Sequence, residues 1–179
     1  VAVRRKLDGT EVSDVDIATD AMPETVTNIA ESAGFKPVPT GIDHGTVTIV
    51  VQGRPHEVTT FRRDVETDGR RAVVAYSPLI EEDARRRDFT MNALYAERDG
   101  TIHDYVGGLD DLAECRVRFI GEPASRIAED YLRILRFFRF YAAYSHGGPP
   151  DQAGLAACIA ARAGLESLSR ERVRMEMAK

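Results

Sequence analysis

The sequence has few cysteines, no long apolar run and no excess of positive charge. Cys115 and Cys158 are its two cysteines. They stand far apart and show no metal-ligand spacing, so they read as the reduced thiols of a cytoplasmic protein. No apolar stretch approaches the ~18 residues of a spanning helix, and no membrane partner is expected. The formal net charge is −5, from 24 Lys+Arg against 29 Asp+Glu. That excludes a broadly basic nucleic-acid binder, and any such contact must come from a local patch. No leader pattern, internal repeat or low-complexity tract is evident. His44, His56, His103 and His146 are scattered, and no Ser/His/Asp arrangement stands out, so zinc and covalent mechanisms have no support. Nothing points to an obligate protein partner. The chain opens on VAVRRKL without an initiator methionine and ends inside the helical pattern of RMEMAK, so it reads as a piece of a longer protein.

What is present suits a folded domain. Hydrophobic residues make up 43% of 179 positions, enough for a core. Val12 to Ile17 alternates as a short strand, with Val15 and Ile17 on a buried face and Asp14 and Asp16 on the other. Pro23 suits the start of a helix that Gly34 would stop. TVTIVV and PHEVTTF read as strands joined by a hairpin at Gln52-Gly53. The charged stretch FRRDVETDGRRAVV reads as a mobile loop. NALYAERDGTIHDYV reads as a second hairpin turning at Asp99-Gly100, broken by Gly107-Gly108. From Pro123 the pattern is helical. Ile127, Tyr131, Ile134, Leu135, Phe138 and Ala142 form one apolar stripe, another helix covers Ala153 to Ala163, and Ser169 caps a third. The fold class expected is α+β: a small mixed sheet with flanking helices over residues 1–121, followed by an all-α region over 122–179.

Asp14 and Asp16 sit on alternate positions of the first strand. Alternate residues share a face, roughly 6.5–7 Å apart, and two carboxylates there repel unless a cation lies between them. Oxygen-only ligands favour Mg²⁺ or Mn²⁺, the layout of a two-metal phosphoryl or nucleotidyl transfer site. The neighbouring strand offers Glu57 as a third carboxylate. A lone D-x-D is also what a solvent-facing edge strand with spare acids looks like, and Glu57 has the same plain alternative.

Further segments narrow the choice. VSDVDIATDAMPE, PTGIDHGTVTIVVQGRPHEVTTFR, EEDARRRDFTMNALYA, DYVGGLDDL and RIAEDYLRILRFFRF occur in this order. Together they resemble the class II tRNA nucleotidyltransferases, the bacterial CCA-adding enzymes, and their bacterial poly(A) polymerase relatives, over nearly the whole chain. The resemblance implies a polymerase β-like nucleotidyltransferase head followed by the start of a helical neck. It implies that Asp14 and Asp16 hold two catalytic Mg²⁺ ions, with Glu57 as the third carboxylate. It implies that Arg4, Arg87, Arg136 and Arg139 contact the nucleotide. Val1 and Arg5 depart from the family pattern, where a glycine and an aspartate belong.

The E-D-x-x-R helix carries base selection in that family, and the chemistry here fits. Cytosine and adenine each present an amino donor beside a ring-nitrogen acceptor. A carboxylate at Asp130 accepts from the first, and a guanidinium at Arg133 donates to the second. Uracil and guanine present the reverse order. The plain alternative is a solvated helix face in which Arg126, Glu129, Asp130, Arg133 and Arg136 pair with one another. The expected function is template-independent addition of C and A to tRNA 3′ ends from CTP and ATP. The alternatives are a CC-only, A-only or poly(A)-adding relative, or a non-catalytic nucleotide- or RNA-binding module. A shortened charged loop after Phe61 accompanies CC-only addition in the family, and here that stretch is present.

Overall fold

The computed structural model of the chain describes residues 15–68 and 71–179. These divide into two compact units. The first takes in the chain up to Glu66 together with Val73–Arg86, and the second takes in Thr67–Ala72 with Arg87–Lys179.

The first unit is built on a four-stranded mixed sheet in the order β1-β4-β3-β2. Strand β1 (Ile17–Thr19) runs parallel to β4 (Arg54–Thr60). Strand β3 (Thr46–Val51) is antiparallel both to β4 and to β2 (Lys36–Gly41). The expected hairpin is present: Val51 pairs with Arg54 across Gln52 and Gly53, whose φ values are 51° and 79°. Two left-handed residues in a two-residue turn match the twist of the flanking strands. Helix α1 (Pro23–Ser32) starts on its proline and is followed by Gly34 at φ 78°. Its Val26 packs with Val47 and Val58, flanked by Ala21 and Ile49. One sheet face is therefore apolar. The other is polar, with the Thr46 and Thr59 hydroxyls 2.9 Å apart and those of Thr40 and Thr48 2.6 Å apart.

Three features of this unit differ from the sequence reading. The first strand is Ile17–Thr19, and Val15 and Ile17 are 54% and 45% exposed, not buried. β1 is an edge strand, and the apolar cluster centres on the inner pair β3 and β4. Strand β2 carries Pro37 and Pro39 and was not expected; an edge position tolerates the missing donors. The charged stretch after Phe61 is β5 (Arg62–Asp68) and β6 (Arg71–Tyr76), paired in a two-stranded sheet, not a mobile loop. Strand pairing satisfies backbone groups whatever the side-chain charge, so a run of charges does not argue against it. Helix α2 (Ile80–Arg85) closes the unit. Its buried Asp83 accepts hydrogen bonds from the Arg62 backbone N–H at 3.1 Å and Arg86 Nε at 2.9 Å.

The second unit opens with the expected hairpin, β7 (Leu94–Ala96) antiparallel to β8 (Ile102–Asp104). Helix α3 (Gly108–Ala113) follows. A Cβ on Gly108 would lie 2.3 Å from the Thr90 carbonyl oxygen, so only glycine allows this approach. Helices α4 (Pro123–Glu129), α5 (Leu132–Tyr144), α6 (Gln152–Ala160) and α7 (Arg170–Met177) complete it, with a 3₁₀ segment over Arg162–Ser167. Ser169 caps α7 as expected, its Oγ accepting from the Arg172 N–H. The core is a ring cluster of Phe89, Phe119, Phe137 and Phe140 around Ile127 and Ile134. Phe89 and Phe119 have centroids 4.7 Å apart. The single helix expected through RIAEDYLRILRFFRF is in fact two. Asp130, at φ −159° and ψ 107°, leaves the helical region between α4 and α5. Phe138 of the expected apolar stripe is 44% exposed, and the face that α5 buries is Ile134, Phe137 and Phe140.

Candidate functional site

The first unit carries candidate carboxylates at β1 and its neighbour β4. Parallel pairing sets Ile17 beside Val58, Ala18 beside Thr59 and Thr19 beside Thr60. Asp16 lies one residue before β1, and Glu57 one residue before Val58 on β4. Val58 belongs to the apolar face, so by alternation Glu57 belongs to the polar one. Asp16 and Glu57 are both exposed. Two like charges on neighbouring strands repel, and a hard divalent cation relieves that repulsion with the oxygen ligands it prefers. These are oxygen donors of the kind such a cation takes, but among the described residues no group of three or more metal-binding side chains forms. Asp14 and Arg4 lie outside the described residues.

The second unit gathers the arginines. Arg85 and Arg86 lie in the first unit, where Arg85 pairs with Glu81 at 2.7 Å on the surface and Arg86 with the buried Asp83 at 2.8 Å. Arg87 differs. Its Nε donates to Tyr95 Oη at 2.9 Å and its guanidinium lies 5.1 Å from the Tyr95 ring centroid. Asp88 organises the segment locally. Its Oδ1 accepts from the Phe89 N–H at 2.9 Å and Asn92 Nδ2 at 3.0 Å, and its Oδ2 accepts from Arg136 Nε at 2.6 Å.

The break at Asp130 frees its side chain from the helix register. Its Oδ1 accepts from the Leu132 N–H at 3.1 Å and its Oδ2 from Arg172 at 2.7 Å. Arg133 does not bond the Asp130 side chain. Its Nη1 donates to the Arg126 carbonyl at 2.7 Å and makes a short bond to Glu129 Oε2. Arg139 Nε donates to Glu176 Oε1 at 2.6 Å, and Arg136 also approaches Glu176, at 3.7 Å. Glu176 is only 3% exposed and faces Arg136, Arg139 and Lys179. So Arg87, Asp130, Arg133, Arg136 and Arg139 share one unit, each held by a partner. The sequence reading missed Tyr95, Arg172 and Glu176 as those partners. No local spacing could reveal the last two, since Arg172 is 42 residues and Glu176 37 residues from the groups they hold.

The mixed sheet with a helix on one face agrees with the head fold that the sequence motifs imply. The chain is 38% identical, at a TM-score of 0.85, to the crystal structure of the Bacillus stearothermophilus CCA-adding enzyme in complex with CTP, covering 98% of this chain and 41% of that one. It is 43% identical to the mitochondrial CCA tRNA nucleotidyltransferase 1 of Mus musculus, over 99% of this chain and 42% of that protein. It is 44% identical to the CCA-adding enzyme of Bacillus pumilus, over 78% of this chain and 34% of that one. Residues 2–118 match the family described as poly A polymerase head domain, and the chain belongs to that family. It spans well under half the length of these relatives.

Proposed function

We propose that the chain is the catalytic portion of a tRNA nucleotidyltransferase that adds C and A to tRNA 3′ ends from CTP and ATP. What supports this is the exposed Asp16 one residue before β1 and the exposed Glu57 on the neighbouring strand β4, in a chain whose second unit gathers five nucleotide-type side chains. Residues 1–121 form the head and 122–179 the start of the neck. The cytoplasm is its compartment; its relatives include mitochondrial enzymes.

Asp14 and Asp16, with Glu57 as third carboxylate, would hold two Mg²⁺ ions, with Mn²⁺ as the alternative. Bound there, such ions acidify the primer 3′-hydroxyl and stabilise the charge of the leaving pyrophosphate. Arg4, Arg87, Arg136 and Arg139 position the nucleotide, because a guanidinium is always charged and matches phosphate in a bidentate fork. Asp130 accepts from the exocyclic amino group of cytosine or adenine. Arg133 has Nη1 committed to Glu129 and the Arg126 carbonyl, and the rest of its guanidinium donates to the ring nitrogen. UTP and GTP would leave these groups mismatched, at about 1–3 kcal/mol each.

The test gives full-length protein a tRNA ending at its discriminator base, with CTP and ATP supplied separately and together. Two C additions from CTP alone, and a terminal A only when both are present, are expected. Long A tracts from ATP alone would favour the poly(A)-adding reading instead.

A further inference from the structure

We infer that Arg126 is a positioning residue that ties the phosphate-gripping segment at Arg87 to the base reader Arg133; this rests on the function proposed above. Arg126 makes contacts in two directions. Its Nη2 donates to the Arg87 carbonyl oxygen at 2.7 Å, 39 residues away in sequence. Its Nη1 donates to both oxygens of Glu129, at 2.9 and 2.6 Å. The same Glu129 carboxylate receives Arg133 Nη1, and that nitrogen also donates to the Arg126 carbonyl oxygen at 2.7 Å. Arg126, Glu129 and Arg133 thus close a ring of bonds, and the Arg126 guanidinium extends it to the backbone of residue 87.

The environment gives these bonds weight. The Arg126 and Arg133 side chains are 11% and 16% exposed and Glu129 is 21% exposed, so solvent screens them poorly. Two guanidinium groups share one carboxylate, which leaves one unit of positive charge held in a fixed place. An anionic ligand complements such a surplus. The orientation of Arg133 then depends on Glu129, that of Glu129 on Arg126, and the site of Arg126 on the backbone at Arg87. The next residue, Asp88, holds Arg136 by its side chain, so residues 87 and 88 are tied separately to α4 and α5. Nucleotide grip and base choice are therefore coupled through one side chain that is assigned to neither.

The coupling separates this role from a purely structural one. Replacing Arg126 with glutamine removes the charge and the fork, freeing Arg133 to reorient and releasing the Arg87 backbone. Full-length Arg126→Gln protein is expected to show a higher KM for both CTP and ATP, and a CTP-over-UTP preference lowered about tenfold, the size expected from one charge-assisted hydrogen bond. In an Arg133→Ala background the same change should lower the preference no further. If Arg126→Gln shows no cooperative thermal transition, Arg126→Lys serves, since one ammonium cannot reach both the carbonyl and the carboxylate. About a threefold loss is then expected. An unchanged preference in the folded variant, or a further loss in the Arg133→Ala background, overturns the coupling. Parent protein that incorporates no nucleotide overturns the proposed function itself. Parent that incorporates, with Arg133→Ala keeping its preference, overturns the base-reader assignment.

Discussion

Asp111 shows how much of this chain's charge is spent on holding backbone and side chains in place. It is fully buried, and its carboxylate accepts from Thr90 Oγ1 at 2.6 Å, Arg116 Nε at 2.7 Å and Arg118 Nε at 2.8 Å. It also anchors the Arg116 N–H through its own carbonyl, at 2.8 Å. Replacing Asp111 with asparagine should cost about 1–3 kcal/mol. Loss of a fully buried pair costs more, but Arg116 and Arg118 are 40% and 42% exposed and can turn to water. A lower urea midpoint at unchanged slope would record it. The two thiols make a second residue-level prediction. Cys158 is 1% exposed, and burial pushes its thiol up to about 11. A thiolate-selective reagent at neutral pH should leave Cys158 unmodified in the folded protein and modify it after denaturation. Cys115 is only partly buried.

At the scale of elements, α3 is set by the residues before it. Asp104 ends β8 and accepts from the backbone N–H groups of Val106, Gly108 and Leu109, at 3.1, 2.9 and 2.9 Å. Burial pushes its carboxyl up, but the N–H donors of Leu109, Gly108, Val106 and Gly107 together outweigh this and hold it below the usual 3.8. A depressed folded-state value means the stabilisation is present above the unfolded value and fades as pH falls through the folded one. Asp104→Ala should therefore cost about 0.5–2 kcal/mol at pH 7, as a lost cap does, and the gap to the parent should close below pH ~4. Thermal unfolding across pH 3–7 checks both. The elements also show where sequence patterns suffice. The turns at Gln52-Gly53 and Asp99-Gly100 are visible because their chemistry is local. β2 and the β5–β6 pair escape notice because prolines and charges count against strands only where a partner covers both edges or faces. The break at Asp130 escapes because its neighbours keep helical spacing across it. The aspartate leaves the helix through contacts with Leu132 and Arg172 that periodicity does not register.

Across the whole molecule, residue type and motif order single out the candidate acids of the first unit and the candidate arginines of the second, but not the partners that hold those arginines. Which arginine is spent on structure depends on long-range pairing, and the net charge of −5 conceals it. Arg85 and Arg86 pair within their own helix region, whereas Arg136 and Arg139 converge on the nearly buried Glu176. The candidate carboxylates at β1 and β4 carry the account's central claim, that they support metal-dependent nucleotidyl transfer. It is tested most directly by incorporation of labelled CTP into tRNA lacking its CCA end, comparing full-length parent with Asp16→Ala protein of the same melting behaviour. The account predicts a loss of at least about a hundredfold, from the several kcal/mol that a bound metal contributes to the transition state, and no rescue by raising CTP. Incorporation by the variant at the parent's rate would contradict it.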